Sequence, residues 1–298
     1  MDADAPLVYV VTVNWNNAPD TLACLETLSR LSYPNYRLLE VENGSTDDSP
    51  ERIAEAFPQV EQVRIPENTG FAGGFNAGIR HALEKGAEYV FIVNNDTLAD
   101  AGMLEPLVEA AAPPDVGAVA PLIFYATEPE RIWSAGAGRS RWTLELTGNH
   151  GREMSIPAAR KPVEREFLSG CALLLKRNVL ENLGLLDEGF FLYYEDSDYS
   201  LRLRQAGYRL LLVPQARLWH KVSRSSLGSD SPGERYWMAR SSVRFFRKHV
   251  RGWRWLVVIP WRLGSASKTT LRLVSHGNFR AARYYWRGLW EGLWNEHP

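Results

Sequence analysis

The alternation of β-favouring apolar runs with segments of helical spacing constrains this chain more than any other feature. Residues 7–13 are almost all apolar and extended in preference, Asn14-Trp15-Asn16-Asn17 breaks the run, and residues 19–31 set Leu22, Leu25, Leu28 and Leu31 at helical intervals. The unit then repeats. Residues 37–41 form a second strand closed by Glu42-Asn43-Gly44-Ser45, and Ser49 as N-cap with Pro50 at the first helical position opens a second helix. Residues 60–65 read as a third strand, the glycine-rich stretch 68–74 as a loop, 75–84 as a helix stopped by Gly86, and 89–93 as a fourth strand. Strands that alternate with helices pair in parallel and are covered on both faces, so the expectation is a Rossmann-like α/β fold with a mostly parallel sheet.

Beyond Asn94-Asn95-Asp96 the pattern continues with a helix near 101–111 and a strand at 117–125. Residues 127–165 show turn formers without a clear period and read as loops and short strands over the active face. A strand at 171–175, a helix at 177–183, an acidic helix start at Glu195-Asp196 with Gly207 as its stop, and a strand at 209–213 complete the sheet, and from Pro232 onward only helices are expected. The division is a catalytic unit over 1–226 and a helical extension over 227–298.

Charge supports that division. The 298 residues carry a net charge of -1, yet residues 221–298 hold 15 basic and 4 acidic side chains, together with seven of the 11 tryptophans. Basic residues and rings interleave there, as in Arg251-Gly252-Trp253-Arg254-Trp255 and Arg283-Tyr284-Tyr285-Trp286-Arg287. Such a segment suits the anionic surface of a membrane; packing on the acidic catalytic unit and a homodimer interface are the alternatives. No nucleic-acid module accompanies the charge, so nucleic acid is not an expected partner. Two cysteines, Cys24 and Cys171, are too few for a disulfide framework and imply a reducing, cytoplasmic setting, with one bridge still open. The acidic start Met1-Asp2-Ala3-Asp4 does not fit a secretory signal. The longest apolar runs fall short of the roughly 20 residues that cross a bilayer, which leaves peripheral attachment at the inner face of the membrane.

Polar residues collect where strands run out: Thr12, Asn14, Glu42, Asn43, Asn94, Asn95 and Asp96. Active sites of open α/β sheets lie beyond the carboxyl ends of their strands, although Asn, Asp and Gly mark ordinary turns as well. A carboxylate such as Asp96 in a strand-end loop suits Mg2+ or Mn2+, with diphosphate oxygens and His220 as candidate further ligands, although a lone histidine beside Trp219 is more often a packed or capping one. The segment Gly189 to Tyr199 places Glu195, Asp196 and Asp198 at a helix opening, where acids commonly serve the macrodipole. The aromatic run before them argues for more, because rings around a carboxylate lower its hydration and raise its pKa towards that of a general base. Glu195 and Asp198 are three apart and Asp196 points elsewhere, so one or two of the three can face a substrate. Asn68 and Gly70, in the glycine-rich stretch, either present backbone N–H groups to an anion or permit close helix–sheet packing.

Taken in order, Val11 to Asn16, Glu42 to Asp47, Asn68 to Gly78, Asn94-Asn95-Asp96-Thr97, Phe190 to Ser200 and His220 resemble the family 2 glycosyltransferases, in particular the bacterial rhamnosyltransferase-like branch that builds cell-wall and surface polysaccharides. The resemblance spans residues 7–226. It implies a GT-A fold, a nucleotide-diphosphate sugar donor, Mg2+ or Mn2+, a saccharide or lipid-diphosphate-linked acceptor, and inversion at the anomeric carbon. By position it implies that Thr12, Asn14 and Glu42 line the nucleoside pocket with Asn43 close by. Asp96 becomes the metal-binding member of the DxD motif, His220 joins it at the metal or diphosphate, and Asp196, paired with Glu195, becomes the base. Two positions depart from the family pattern: Glu42 stands where Asp is usual, and Asn94 replaces the first Asp of DxD. A weakened DxD leaves room for a non-catalytic binding protein of the same shape. A sugar nucleotidyltransferase is the other alternative, but its N-terminal glycine-rich phosphate loop with Arg and Lys is absent.

Overall fold

A computed structural model describes residues 5–148, 161–222 and 230–294. Its first half follows the sequence pattern closely: β1 (Val8–Asn14), α1 (Ala18–Leu28), β2 (Tyr36–Asn43), α2 (Ser49–Ala56), β3 (Glu61–Ile65), α3 (Gly70–Glu84) and β4 (Tyr89–Val93). These four strands pair in parallel in the order β3-β2-β1-β4. Val8, Val10 and Val11 are buried on alternating faces of β1, so helices cover both sides of the sheet.

The second half adds β5 (Thr97–Ala99), α4 (Leu104–Ala111), β6 (Val116–Tyr125), β7 (Ile132–Ser134), a hairpin of β8 (Gly138–Arg139) and β9 (Leu146–Thr147), then β10 (Val163–Arg165), β11 (Ala172–Lys176), α5 (Arg177–Leu183), α6 (Glu195–Gln205) and β12 (Arg209–His220). Strand β11 enters antiparallel between β4 and β6, and β12 lies parallel to β6. The sheet is therefore mixed, with its parallel half intact.

Three differences from the sequence expectation bear on the site. Helix α3 begins at Gly70, so most of the expected loop is helical. A methyl group at Gly74 or Gly78 would run into Val13 or Val11 of β1, and this close packing outweighs the low helix propensity of glycine. Strand β12 continues past Pro214 to His220, because the register shift between Val213 and Arg217 absorbs the proline as a bulge. The short β5, missed in the sequence, pairs antiparallel with that continuation and aligns Thr97 with His220.

The extension folds as α7 (Pro232–His249), α8 (Trp255–Ser275) and α9 (Phe279–Trp294), with a 3-10 turn at Gly252–Arg254. Helix α7 starts as its sequence dictates, with Pro232 at the first position and the Ser231 Oγ accepting from Glu234 N at 3.1 Å. Phe245, Phe246 and Val250 share a buried cluster with Phe190 and Leu201 of the sheet unit, Leu144 of the hairpin and Val258 of α8. The expected junction at 226/227 lies outside the described residues. Both cysteines are free and buried, so no bridge joins them.

Candidate active site

A cavity of about 740 Å3 opens at the carboxyl ends of the parallel strands, within the range of small-molecule sites. Asn43, Asn68, Gly70, Asn94, Asn95, Asp96, Glu195, Asp196 and His220 all line it. Asp96 and Asp196, a hundred residues apart in the chain, thus face one space.

Pairing of β5 with β12 creates the first wall. With Thr97 opposite His220 and Lys221 N donating to Asp96 O at 2.9 Å, the two side chains meet, Asp96 Oδ1 lying 3.0 Å from His220 Nε2. Both are buried. Burial opposes charge on His220, but the Cys171 sulfur and the Asp96 carboxylate overcome it and push the imidazole up to about 10. Trp133 packs edge-on against the ring at 4.4 Å.

The start of α6 builds a second part of the wall. Tyr193 and Tyr194 both take left-handed backbone conformations, which turn the chain sharply into the helix. Asp196 Oδ2 accepts from Gly170 N at 3.1 Å and Oδ1 from Ser197 N at 2.7 Å. Any side chain at Gly170 would crowd Asp196 and Phe71. Glu195 is buried with Oε2 unpartnered, and burial, reinforced by the Asp196 charge, raises its pKa well above the ordinary carboxylate range. Helical spacing alone pairs Glu195 with Asp198, but at this open first turn Glu195 and Asp196 border the cavity while Asp198 turns inward. There Asp198 meets Lys248 Nζ and His249 Nε2 of α7, each at 2.7 Å, and Arg202 Nε at 2.8 Å. Its burial opposes ionisation, yet these partners bring the carboxyl down to about 2.

Thr12, Asn14 and Glu42 are buried and are not among the lining residues. Asn14 Nδ2 donates to Glu42 Oε2 at 2.7 Å, Thr21 Oγ1 donates to Asn14 Oδ1 at 2.9 Å, and Ser45 N donates to Glu42 Oε1 at 2.9 Å. Asn14 and Glu42 thereby stitch together the loops after β1 and β2, and Trp15 of the first loop is the side chain that reaches the cavity, 44% exposed. Asn43 works on the next loop: its Oδ1 accepts from Thr69 N at 3.0 Å and its Nδ2 donates to Gly70 O at 3.1 Å. Gly70 N is taken by Asn68 Oδ1 at 2.8 Å and Phe71 N by Phe191 O at 2.7 Å. The amides opening α3 are thus committed inside the protein, which favours packing over anion capture for this turn. Gly70 itself has a φ of 75° and no room for a side chain beside Phe191.

Some lining residues escape the sequence reading. Arg139 of the β8–β9 hairpin donates to Leu144 O at 2.9 Å and Ser197 O at 3.2 Å; burial lowers its pKa, and the charge of Asp196 is foremost among the influences that oppose this. Glu234 and Met238 show that the extension contributes to the wall. Arg139 lies in the aperiodic stretch, where no signal marks it. Glu234 carries one, the Ser231-x-x-Glu234 capping box, but that signal points to structure rather than to a site.

The family model for Glycosyl transferase family 2 matches residues 9–184, more than half of the chain. The chain belongs to glycosyl transferase family 2. Over 92% of its length this transferase is 26% identical to the N-acetylglucosaminyl-diphospho-decaprenol L-rhamnosyltransferase of Mycobacterium tuberculosis, spanning 94% of that protein. The dTDP-rhamnosyl transferase RfbF of Shigella flexneri is 22% identical over 81% of this transferase and 80% of its own length. Among solved structures, the mannosyltransferase PcManGT of Pyrobaculum calidifontis, in complex with GDP-Man and Mn2+, superposes with a TM-score of 0.61 at 20% identity, covering 98% of this transferase and 88% of that chain. The transferase has the expected GT-A fold, extended by C-terminal helices.

Proposed function

We propose that this glycosyltransferase moves a sugar of the rhamnose type from a nucleotide-diphosphate donor to a lipid-diphosphate-linked saccharide, with inversion and with a divalent cation. The observation that carries the proposal is one cavity lined both by Asp96 with His220 and by Asp196 with Glu195. The acceptor class follows from the decaprenol-linked substrate named for the mycobacterial relative, and the sugar from both rhamnosyl relatives.

Asp96 and His220 would hold a divalent cation only once the imidazole gives up the proton it shares with Asp96, because their 3.0 Å contact is an ion pair as it stands and a metal-bound histidine is neutral. Among the described residues no group of three acidic, His or Cys side chains is placed to hold a metal ion, so Asp96 and His220 would need oxygens of the donor diphosphate beside them. Mg2+ or Mn2+ held there would supply positive charge against the diphosphate as it leaves.

Asp196 accepts the proton of the attacking acceptor hydroxyl. The N–H groups of Gly170 and Ser197 fix its orientation. The hydroxyl oxygen bonds to the anomeric carbon on the face opposite the breaking bond to diphosphate, through an oxocarbenium-like transition state. Glu195 holds its own proton more tightly and so does not compete as base. Trp15, at the rim beside the Asn14–Glu42 loops, offers a ring to the nucleoside.

Thermal-shift titration with a panel of nucleotide sugars, with and without Mn2+, followed by an assay for nucleoside-diphosphate release, tests this reading. Selective stabilisation by a deoxyhexose donor is the expected result. Indifference to every nucleotide sugar, with no diphosphate released, would overturn it.

A further inference from the structure

Helices α8 and α9 leave apolar faces uncovered. Along α8, Leu256, Pro260, Leu263, Leu271 and Val274 recur at helical spacing, with the small Ser267 at the intervening turn, and all are exposed, Leu256 by 78% and Leu271 by 70%. Along α9, Phe279, Trp286, Trp290, Leu293 and Trp294 do the same, Trp290 by 64%, and exposed Arg283 and Arg287 stand among them. Apolar faces this long do not stay in water without a partner. No described helix is long and apolar enough to cross a membrane.

Charge selects the partner. Helix α8 contains no acidic residue, and the one acid of α9, Glu291, is held by Tyr236 and Arg287. A twofold interface would set this cationic surface against a copy of itself. An anionic lipid surface complements it, accepting the tryptophans and leucines at the headgroup boundary and the arginines among the phosphates.

The hairpin between β8 and β9 connects this surface to the cavity. Leu144, Glu145 and Leu146 line the cavity, while Trp142, two residues before Leu144 and 53% exposed, packs on exposed Trp253 with ring centroids 6.0 Å apart. Arg254 Nη2 donates to Arg141 O at 2.9 Å and Arg262 Nη1 to Glu145 Oε1 at 2.9 Å, which fixes the hairpin to α8 and the turn before it. We propose that α8, α9 and the hairpin tip form a membrane-docking surface that seats the transferase on anionic lipid with the hairpin side of the cavity at the bilayer. The proposal deepens the transferase reading above and rests on it for the acceptor.

Co-sedimentation of the full chain with phosphatidylcholine vesicles, with and without phosphatidylglycerol, tests the surface directly. The chain is expected to bind the anionic vesicles preferentially. Leu263→Ser with Leu271→Ser lowers the partition by about tenfold or more. Arg283→Glu with Arg287→Glu removes on the order of tenfold or more from anionic vesicles alone. Release of nucleoside diphosphate in solution stays unchanged in both variants. Failure to bind either vesicle, or a dimer in sedimentation equilibrium that binds no lipid and that the leucine variants dissociate, overturns the proposal. Lipid binding without any sugar-nucleotide turnover supports this surface and sinks the proposed reaction instead, so the two failures are distinguishable.

Discussion

Replacing Asp198 with Asn tests how the extension is held to the catalytic unit. The carboxylate is fully buried between α6 and α7, where it receives two cations, Arg202 and Lys248, and the His249 imidazole within 2.8 Å. Its fall from 3.8 to about 2 corresponds to about 2.5 kcal/mol of stability at neutral pH. Removing one partner of a buried pair typically costs about 3–5 kcal/mol, because the others are left desolvated. We therefore expect Asp198→Asn to destabilise the protein by about 2.5–5 kcal/mol in urea unfolding. The Asp187 carboxylate still holds Arg244 at 3.0 Å and Lys248 at 2.6 Å, so α7 should loosen rather than leave. Amide exchange should accordingly accelerate in α7 while β1 and β4 keep their protection. The pH dependence has a fixed sign: a depressed carboxyl lends its stability above its unfolded pKa, and that stability is lost as pH falls through the folded value. The gap between wild type and variant should be full at neutral pH and close between about 4 and about 2. A cost below about 0.5 kcal/mol at neutral pH, the size of an ordinary surface change, or a gap that acid does not narrow, would refute the account.

Other perturbations separate the remaining roles. Asp196→Asn should lower kcat by about 10²- to 10⁴-fold while calorimetry shows donor nucleotide still bound; near-normal turnover would remove Asp196 as base. Asp96→Ala should abolish the Mn2+ dependence of donor binding, and an unchanged metal titration would count against the Asp96–His220 site. Arg139→Gln withdraws a cation from Asp196, so the acid limb of the pH–kcat profile should move to higher pH and Arg139→Lys should largely restore it; an unmoved limb in Arg139→Gln would leave Arg139 a purely structural residue. Gly170→Ala should reduce kcat with little loss of stability, since its methyl group would press on Asp196 and Phe71, and full activity would show that the crowding is absorbed elsewhere.

The parallel half of the sheet was legible because most strands and stops are coded locally, as with Gly86; the cap expected at Ser49 falls one residue earlier, at Asp48, and the Ser49 hydroxyl accepts from Ala18 N instead. What escaped the sequence depended on pairing across long separations. Pro214 reads as a strand end, yet the bulge carries β12 on to His220, and only the short β5 opposite it makes Asp96 and His220 neighbours. Asp198 reads as a macrodipole acid because Lys248 and His249, which hold its charge, lie far onward in the chain. The tail likewise supported three readings at once. Helix α7 takes the packing alternative, through Arg244, Lys248 and His249, and α8 and α9 keep their apolar faces outward. Removal of residues 232–298, the obvious deletion from sequence, would strip Glu234 and Met238 from the cavity and uncover Phe190, so substitutions on α8 and α9 are the sounder probe.

One turn of helix holds three carboxyl groups in different surroundings, and the surroundings set what each group can do. Asp198 faces Arg202, Lys248 and His249 and is held ionised. Glu195 is buried with one oxygen unpartnered, and the charges of Asp196 and Asp198 both work to keep it protonated. Asp196, between them, has two backbone N–H donors and the Arg139 guanidinium within electrostatic reach, yet remains on the cavity wall. Ionising Glu195 as well would place a third negative charge in the same turn. Because Lys248 and His249 come from α7, the extension supplies part of the counter-charge that holds Asp198 ionised in the turn that carries Asp196.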